Sequence, residues 1–276
     1  MGCCASQNVD SKASRIARWR STGIVAFRDA KLKAIIYIYI FVHMPFHSLF
    51  LHQQAFPDEV LDLDKAVRTL DLTHNKLVDI PMEISKLINL QRLVLADNLI
   101  ERLPMNLGKL QSLKVMILDG NQIASLPDEL GQLVRLERLS ISENILTCLP
   151  ETIGSLRNLS LLNVSNNKLK TFPESIGSCF SLEELQANDN LIEDLPASVC
   201  NLIHLKSLSL NNNSVGQVGF SSNLLISLKL YIVIDVIPPN LLKDCKALQN
   251  ISLHSNPILM DQFQQARHRF SSLLHG

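Results

Sequence analysis

The amino terminus holds the residues of this chain whose types and spacing most clearly allow covalent chemistry. Met1 is followed by Gly2, Cys3 and Cys4, and Ser6 completes the N-myristoylation pattern that is read once the initiator Met is removed. Gly2 is then the acceptor of the myristoyl chain, and the thiols of Cys3 and Cys4 lie beside it, where S-palmitoylation occurs. Because one myristoyl chain binds a membrane only marginally, stable anchoring needs a second signal. We therefore expect lipidation at all three residues.

A basic segment follows this pattern and offers another contact with an anionic membrane surface. It contains Lys12, Arg15, Arg18 and Arg20, which are attracted to acidic lipids, and Trp19, a residue type that suits the membrane interface. The same segment is also typical of an amphipathic cap over the end of an elongated domain. Both interpretations stay open, since one segment can do both. No secretory signal is found at the start, so we expect the cytoplasmic face of the plasma membrane or of an endomembrane, with a cytosolic pool.

Catalytic and metal-binding patterns are not found elsewhere in the sequence. There is no P-loop, dinucleotide-binding glycine motif, nucleophile elbow or metal-ligand set. His43 and His47 have a spacing that could suit zinc, but no third ligand accompanies them. A formal net charge of zero gives no electrostatic case for nucleic acid, and six cysteines in 276 residues are not a disulfide framework. We predict a protein that is not an enzyme, has no cofactor, and binds neither nucleic acid nor a small-molecule substrate.

Evenly spaced asparagines predict the fold, and with it the strands and helices that would position a functional surface. Seven of them recur at one constant interval: Asn75, Asn98, Asn121, Asn144, Asn167, Asn190 and Asn213. A period of roughly 20 to 29 residues, with leucines around a fixed Asn, is typical of leucine-rich repeats. The predicted fold is therefore an α/β leucine-rich repeat solenoid, a curved horseshoe with short parallel strands on its concave face and short helices or turns on its convex face.

One repeat shows how the pattern divides inside from outside. Around Val115 the sequence alternates as a short strand does, which places Met116 and Leu118 in the core and Val115, Ile117 and Asp119 on the concave face. The Asn side chain is expected inside, bonded to the backbone of neighbouring coils. A Leu-Pro step then begins the convex return, because proline is tolerated in the first turn of a helix.

The outward strand positions are the candidate partner-binding surface. Its centre has aliphatic side chains that we expect to be exposed, and charged side chains flank them, as in protein interfaces. The alternative is a solvated sheet face with a few tolerated aliphatic residues. The candidate residues are Arg92, Val94, Val115, Ile117, Asp119, Arg138, Ser140, Leu161, Asn163, Glu184 and Gln186.

Two segments interrupt the repeat, at about residues 35–55 and 218–236. Both are rich in Ile, Phe, Leu, Tyr and Val, which favours the hypothesis that they derive from retained introns. The first overlaps a run from Ala34 to Leu51 without Asp, Glu, Lys or Arg, which just reaches the lower length limit for a membrane span. A proline and several histidines in it count against a span, and a surface loop or an added strand is the third alternative. The expected domains are an anchor and cap at 1–21, the interrupted repeats at 22–265 and an atypical tail at 266–276.

Several stretches of the chain carry a resemblance to a known family: MGCCAS, SKASRIARWRSTGIVAFRDAKLK, RTLDLTHNKLVDIPMEISKL and units such as LPDELGQLVRLERLSIS. With these stretches the chain resembles the plant leucine-rich repeat-containing protein 57-like family, which is similar in repeat type to the intracellular Ras-group leucine-rich repeat proteins. They belong to residues 1–34, 56–217 and 237–265; the two inserts and the tail depart from the family. The resemblance implies a non-enzymatic interaction module on the cytosolic side of a membrane, with Gly2, Cys3 and Cys4 carried over. It also implies a small GTPase, or a membrane receptor or kinase, as the protein partner.

Two functions fit these observations. The first is a membrane-tethered cytosolic adaptor in signal transduction that binds a protein partner through its concave face. The second is an extracellular or receptor-type recognition domain, with the first insert as a membrane span. A signal sequence and cysteine-paired caps would favour the second function, and neither is found.

Overall fold

One parallel sheet of nine strands runs through the structure. The computed structural model describes residues 12–28, 58–61, 63, 65–214, 237–238 and 240–256. The strands follow one another in sequence order, each hydrogen-bonded to the next. They are β1 (Ile24–Ala26), β2 (Thr69–Asp71), β3 (Arg92–Val94), β4 (Val115–Ile117), β5 (Arg138–Ser140), β6 (Leu161–Asn163), β7 (Glu184–Gln186), β8 (Ser207–Ser209) and β9 (Asn250–Ser252).

Short helices form the return path from each strand to the next. In the central coils these are 3-10 helices of five residues: Met82–Lys86, Met105–Lys109, Asp128–Gln132, Glu151–Ser155, Glu174–Ser178 and Ala197–Asn201. A proline with φ between −71° and −63° precedes each of them, which suits the φ that its ring imposes. The α-helices of the described ranges are α1 (Lys12–Thr22), α2 (Asp58–Leu61) and α3 (Leu241–Asp244). The architecture is the predicted α/β leucine-rich repeat solenoid.

The core is a continuous apolar column between the strands and the helices. Met116 and Leu118 are fully buried, as predicted, and the equivalent positions of neighbouring coils are buried with them. Cys179 and Cys245 also lie in this column, and Cys148 is exposed. Because each coil buries its apolar side chains mainly against the coils on either side, stability is a sum of interfaces between neighbours.

Helix α1 caps the first coil. Trp19 is only 4% exposed, and its ring lies edge-on to that of Phe27 at a centroid distance of 5.1 Å. The Arg15 guanidinium lies over the Trp19 ring at 6.0 Å. The indole of Trp19 therefore closes the end of the apolar core and is not exposed for contact with a membrane interface. Helix α1 thus packs as a cap over the end of the repeats, which is one of the two interpretations of the basic segment.

Strand pairing stays in register across both interruptions of the repeat. Val25 of β1 pairs with Leu70 of β2, and Ser207 of β8 pairs with Asn250 of β9, although each pair lies about two repeat lengths apart in the chain. The segment around Val25 therefore forms the first strand of the sheet. The inserts at about 35–55 and 218–236 and the tail at 266–276 lie outside the described residues. So do Gly2, Cys3, Cys4, His43 and His47. Among the residues that are described, no helix has both the length and the apolar character needed to cross a membrane.

Candidate protein-binding surface

A ladder of buried asparagines holds the coils that present the concave face. The Asn121 side-chain nitrogen donates to the carbonyl oxygens of Leu95, Leu118 and Asp119 at 2.9, 2.9 and 3.2 Å. Its side-chain oxygen accepts from the Ile100 backbone nitrogen at 3.0 Å. The same set recurs from coil to coil, and it satisfies backbone groups that would otherwise be buried without partners. These asparagines are scaffold, and they leave the outward strand positions free for recognition.

The candidate residues lie together on the concave side of strands β3 to β7. The first position of each strand forms a row in which charged and aliphatic side chains alternate. Arg92, Arg138 and Glu184 in this row are exposed, while Val115 and Leu161 between them are half-buried. Each residue of the row pairs directly with the next across the ladder. We call these five residues the alternating row.

The third position of each strand forms a second row, which is less accessible than predicted. Ile117, Asn163 and Gln186 are half-buried, but Val94 is only 7% exposed. The expectation that Val94 belongs to an exposed apolar centre is therefore wrong. In the ladder it lies between Ile117 and Asp71, and the latter is itself buried, so its methyl groups are covered from both sides.

Ser140, another candidate residue, is also buried, because its hydroxyl is used within the sheet. It donates to the Asp119 carboxylate at 2.7 Å and accepts from the Asn163 side-chain nitrogen at 3.3 Å. The same oxygen of Asp119 accepts from the Ser142 backbone nitrogen at 2.7 Å. Ser140 and Asp119 therefore stiffen the concave face, and the groups left for a partner are chiefly the alternating row and Ile117.

The Asp119 arrangement is one member of a second hydrogen-bonded ladder that sequence reasoning missed. The Asn188 side-chain oxygen accepts from Ser209 Oγ at 2.7 Å and from the Asn211 backbone nitrogen at 2.9 Å. Asn211 does the same with Ser252 Oγ at 2.7 Å and with the backbone nitrogen of His254 at 2.8 Å. This second ladder has a signal in the sequence: an Asp or Asn just after one strand and a Ser at the third position of the next strand. Asp119 with Ser140 and Asn188 with Ser209 are two such pairs.

An ion pair fixes the amino-terminal edge of the face. The Arg28 guanidinium lies 2.6 Å from the Asp71 carboxylate, which also accepts from the Thr73 hydroxyl at 2.7 Å. Burial acts to raise the pKa of Asp71, but the hydrogen bonds from Arg28 and Thr73 outweigh it and hold that pKa below its ordinary value. The charge on Asp71 is therefore compensated internally and does not contribute to recognition.

A shallow depression lies on the convex side of the described coils. It has a volume of about 320 Å³ and is lined by Asp128, Glu129, Gly131, Gln132, Thr152 and Ser155. Within the described ranges, no cluster of three His, Cys, Asp or Glu side chains could hold a metal ion. Asp128 is exposed on this side and Glu129 beside it is half-buried. The concave surface is thus the better candidate for recognition.

Two family models match the central repeats. Residues 105–190 match the one described as leucine-rich repeat region, and residues 65–123 match the one described as leucine rich repeat. The chain is a leucine-rich repeat protein. Its repeats form a protein-interaction domain, and the fold is a scaffold of a kind that is not typically enzymatic.

Proteins similar to this leucine-rich repeat protein include both plant and bacterial proteins. The plant intracellular Ras-group-related LRR protein 7 of Oryza sativa subsp. japonica is 54% identical over 96 residues, which cover 35% of this chain and 29% of that one. This similarity confirms the predicted resemblance in repeat type. A solved LRR protein of Leptospira interrogans has a TM-score of 0.61 and 30% identity, and the match covers 73% of this chain and 46% of the other.

A third similar protein is the plant peptide hormone receptor RGFR1, solved in complex with RGF2. Its TM-score is 0.55 and its identity 28%, with 73% of this chain and 38% of the receptor chain covered. This leucine-rich repeat protein thus spans less than half the length of each of the three proteins it is compared with.

Proposed function

We propose that the chain is a membrane-tethered cytosolic adaptor in signal transduction, which binds a protein partner on the concave surface of strands β3 to β7. The observation that carries this proposal is the arrangement of the alternating row and Ile117. Half-buried Val115, Ile117 and Leu161 lie beside exposed Arg92, Arg138 and Glu184, so apolar and charged side chains share one surface. Protein interfaces likewise combine apolar side chains with charged and polar ones.

The partner would be a small GTPase, or a membrane receptor or kinase. Similarity to intracellular Ras-group-related proteins supports the first class. A concave leucine-rich repeat surface is long and rigid, which suits a folded surface or an extended segment. The receptor solved with RGF2 is a similar chain in complex with a partner, and this supports recognition by such repeats in general.

The tether would consist of acyl chains on Gly2, Cys3 and Cys4. The segment from Gly2 to the start of α1 at Lys12 is short, and a chain of that length reaches at most about 35 Å. Because α1 packs on the first coil, such a tether would keep the β1 end of the sheet near the cytoplasmic face of a membrane. A short tether raises the effective concentration of the concave surface for membrane-bound partners.

Partner capture from cells tests the binding part of this proposal. Full-length protein is compared with Ile117→Arg, which places a bulky charge beside the aliphatic side chains of this surface, and with Val134→Arg, which makes the same type of change at an exposed convex position. We expect proteins enriched by the wild type to be lost with the first variant and kept with the second. Equal enrichment by all three proteins would contradict recognition through this surface.

Membrane fractionation tests the tether separately. Gly2→Ala removes the myristoyl acceptor, and because S-acylation of the neighbouring thiols would then lack its first anchor, we expect the variant in the soluble fraction. Mass spectrometry of the amino-terminal peptide should show the acyl groups on the wild type. Membrane association that persists in Gly2→Ala would contradict lipid tethering.

A further inference from the structure

The spacing and the order of the charged side chains in the alternating row specify the chemistry of a partner segment that could bind there. Along the row, the side chains read Arg92, Val115, Arg138, Leu161 and Glu184, one per strand. Neighbouring strands lie about 4.8 Å apart, so consecutive charged groups are separated by about 9.6 Å. The order is positive, positive and negative, with one aliphatic residue between each two charges.

These charges are available to a partner. Among the described residues, the ion pairs are formed by other side chains, and none involves Arg92, Arg138 or Glu184. Glu184 accepts a long contact of 3.5 Å from the Gln186 side-chain nitrogen, which leaves its charge uncompensated. The nearby Lys114 and Glu137 neutralise each other at 2.8 Å.

The Asp119 carboxylate does not cancel the two arginines. At the rise of an extended strand, Asp119 lies about 13 Å along the chain from Val115, which is the row residue of the same coil. The Ser140 hydroxyl and the Ser142 nitrogen also occupy its inner oxygen. The row therefore has a basic half over β3 to β5 and an acidic end at β7.

We propose that the alternating row binds an extended, proline-rich segment of the partner that has acidic residues at positions i and i+3 and a basic residue at i+6. A polyproline II helix has three residues per turn and rises about 3.1 Å per residue, so residues three apart lie on one face, about 9.3 Å from each other. That distance matches the separation of the charges in the row. The acidic residues would pair with Arg92 and Arg138, and the basic residue with Glu184. Aliphatic residues between them would cover Val115 and Leu161. This inference deepens the proposed function and depends on it.

Binding of synthetic peptides to the full chain tests this inference. The probe is a fluorescein-labelled peptide Pro-Glu-Pro-Leu-Glu-Pro-Leu-Lys-Pro, and polarisation is measured at low and at physiological salt. A second peptide has the same composition with its charges two residues apart, and a third has Lys, Lys and Glu in place of Glu, Glu and Lys. We expect the first peptide to bind most tightly, with weaker binding at higher salt. Equal binding of all three, or no binding of the first, would overturn the proposal.

Variants of the row supply the matched controls. Arg92→Gln and Arg138→Gln should each weaken binding about fivefold, the upper effect of an exposed ion pair. Arg157→Gln makes the same charge change at an exposed residue just beyond the convex helix Glu151–Ser155 and should change nothing. Effects of equal size at all three positions would reduce the interaction to general charge attraction and overturn the proposal.

A charge swap tests the predicted direction of the segment. Glu184→Lys should weaken binding of the first peptide and strengthen binding of a peptide with Glu at all three charged positions. No rescue by that peptide would contradict the predicted pairing at β7. Loss of cellular partners with Ile117→Arg, together with no peptide binding, would refute this inference and leave the proposed function standing. No cellular partner lost with Ile117→Arg would instead refute the proposed function.

Discussion

The side-chain oxygen of Asn144 lies 3.0 Å from the backbone nitrogen of Ile123, which belongs to the preceding coil. The side-chain nitrogen of the same Asn144 donates to the Leu118 carbonyl of that coil at 3.0 Å and to the Ser142 carbonyl of its own coil at 2.9 Å. One side chain therefore serves as donor and as acceptor across the interface between two coils. This is why the repeat uses Asn, which has both groups on a short side chain.

Replacing Asn144 by Ala should destabilise the domain by about 3 kcal/mol, because the Ile123 nitrogen and the Leu118 oxygen lose a partner and each buried group left unsatisfied costs about 1–3 kcal/mol. Chemical denaturation followed by circular dichroism measures the loss. Asn158→Ala is the control, since Asn158 is exposed and makes a single 2.7 Å bond to the Val134 carbonyl. A loss no larger than that of the control would show that the asparagine ladder is not what holds the coils.

Gly154 and Gly120 should respond differently to substitution. A Cβ on Gly154 would lie 2.4 Å from the Ser175 carbonyl oxygen, which is backbone and cannot give way. Gly154→Ala should therefore cost about 2 kcal/mol. Gly120 has φ +65°, and a Cβ there would meet the end of the Asp97 side chain, which can rotate. At the equivalent point of the other described coils, non-glycine residues adopt φ between 53° and 57°.

Gly120→Asn should therefore cost less than about 1 kcal/mol, because Asn tolerates the left-handed region. Thermal melting of the two variants beside the wild type checks this order. A Gly120→Asn protein that melts below Gly154→Ala would contradict the difference that we infer between the turn glycine and the close-packed one.

The Cys179 thiol should make stability fall at alkaline pH. Burial raises the pKa of Cys179 from its ordinary value of 9.0 to about 12. Between these two values the unfolded chain loses the thiol proton and the folded chain keeps it. The unfolded state then binds fewer protons, so the free energy of unfolding decreases as pH rises from about 9 to about 12. Below pH 9 the contribution of this thiol is constant.

Cys179→Ala removes this titration, and we expect a flatter decline of the free energy of unfolding across the same pH range. The variant should also be less stable near neutral pH, because it loses packing and the 3.3 Å contact from the sulfur to the Ile153 carbonyl. The decline should not vanish, since burial also raises the pKa of Cys245, to about 11. Urea denaturation at several pH values provides the measurement, and parallel curves for the two proteins would refute the assignment.

The candidate surface was only partly predictable from sequence. Alternation along a strand predicts which face a side chain points to, and it correctly placed Arg92 and Glu184 on the outside. It does not predict how deeply a side chain lies among its neighbours on that face. Val94 and Ser140 are buried because of residues on neighbouring coils, which no local pattern around them describes.

The sequence by itself determined the fold, the pitch of the coils and the division between core and surface. It could do so because the contacts between coils recur at the same constant interval as the asparagines, so local chemistry and long-range packing have one period. The tertiary structure determined which side chains of different coils are neighbours. In the folded chain Trp19 is buried against Phe27, Val94 and Ser140 are buried, and the charged side chains of the alternating row lie in one line. Those outcomes depend on the environment across neighbouring strands, and only the assembled sheet creates that environment.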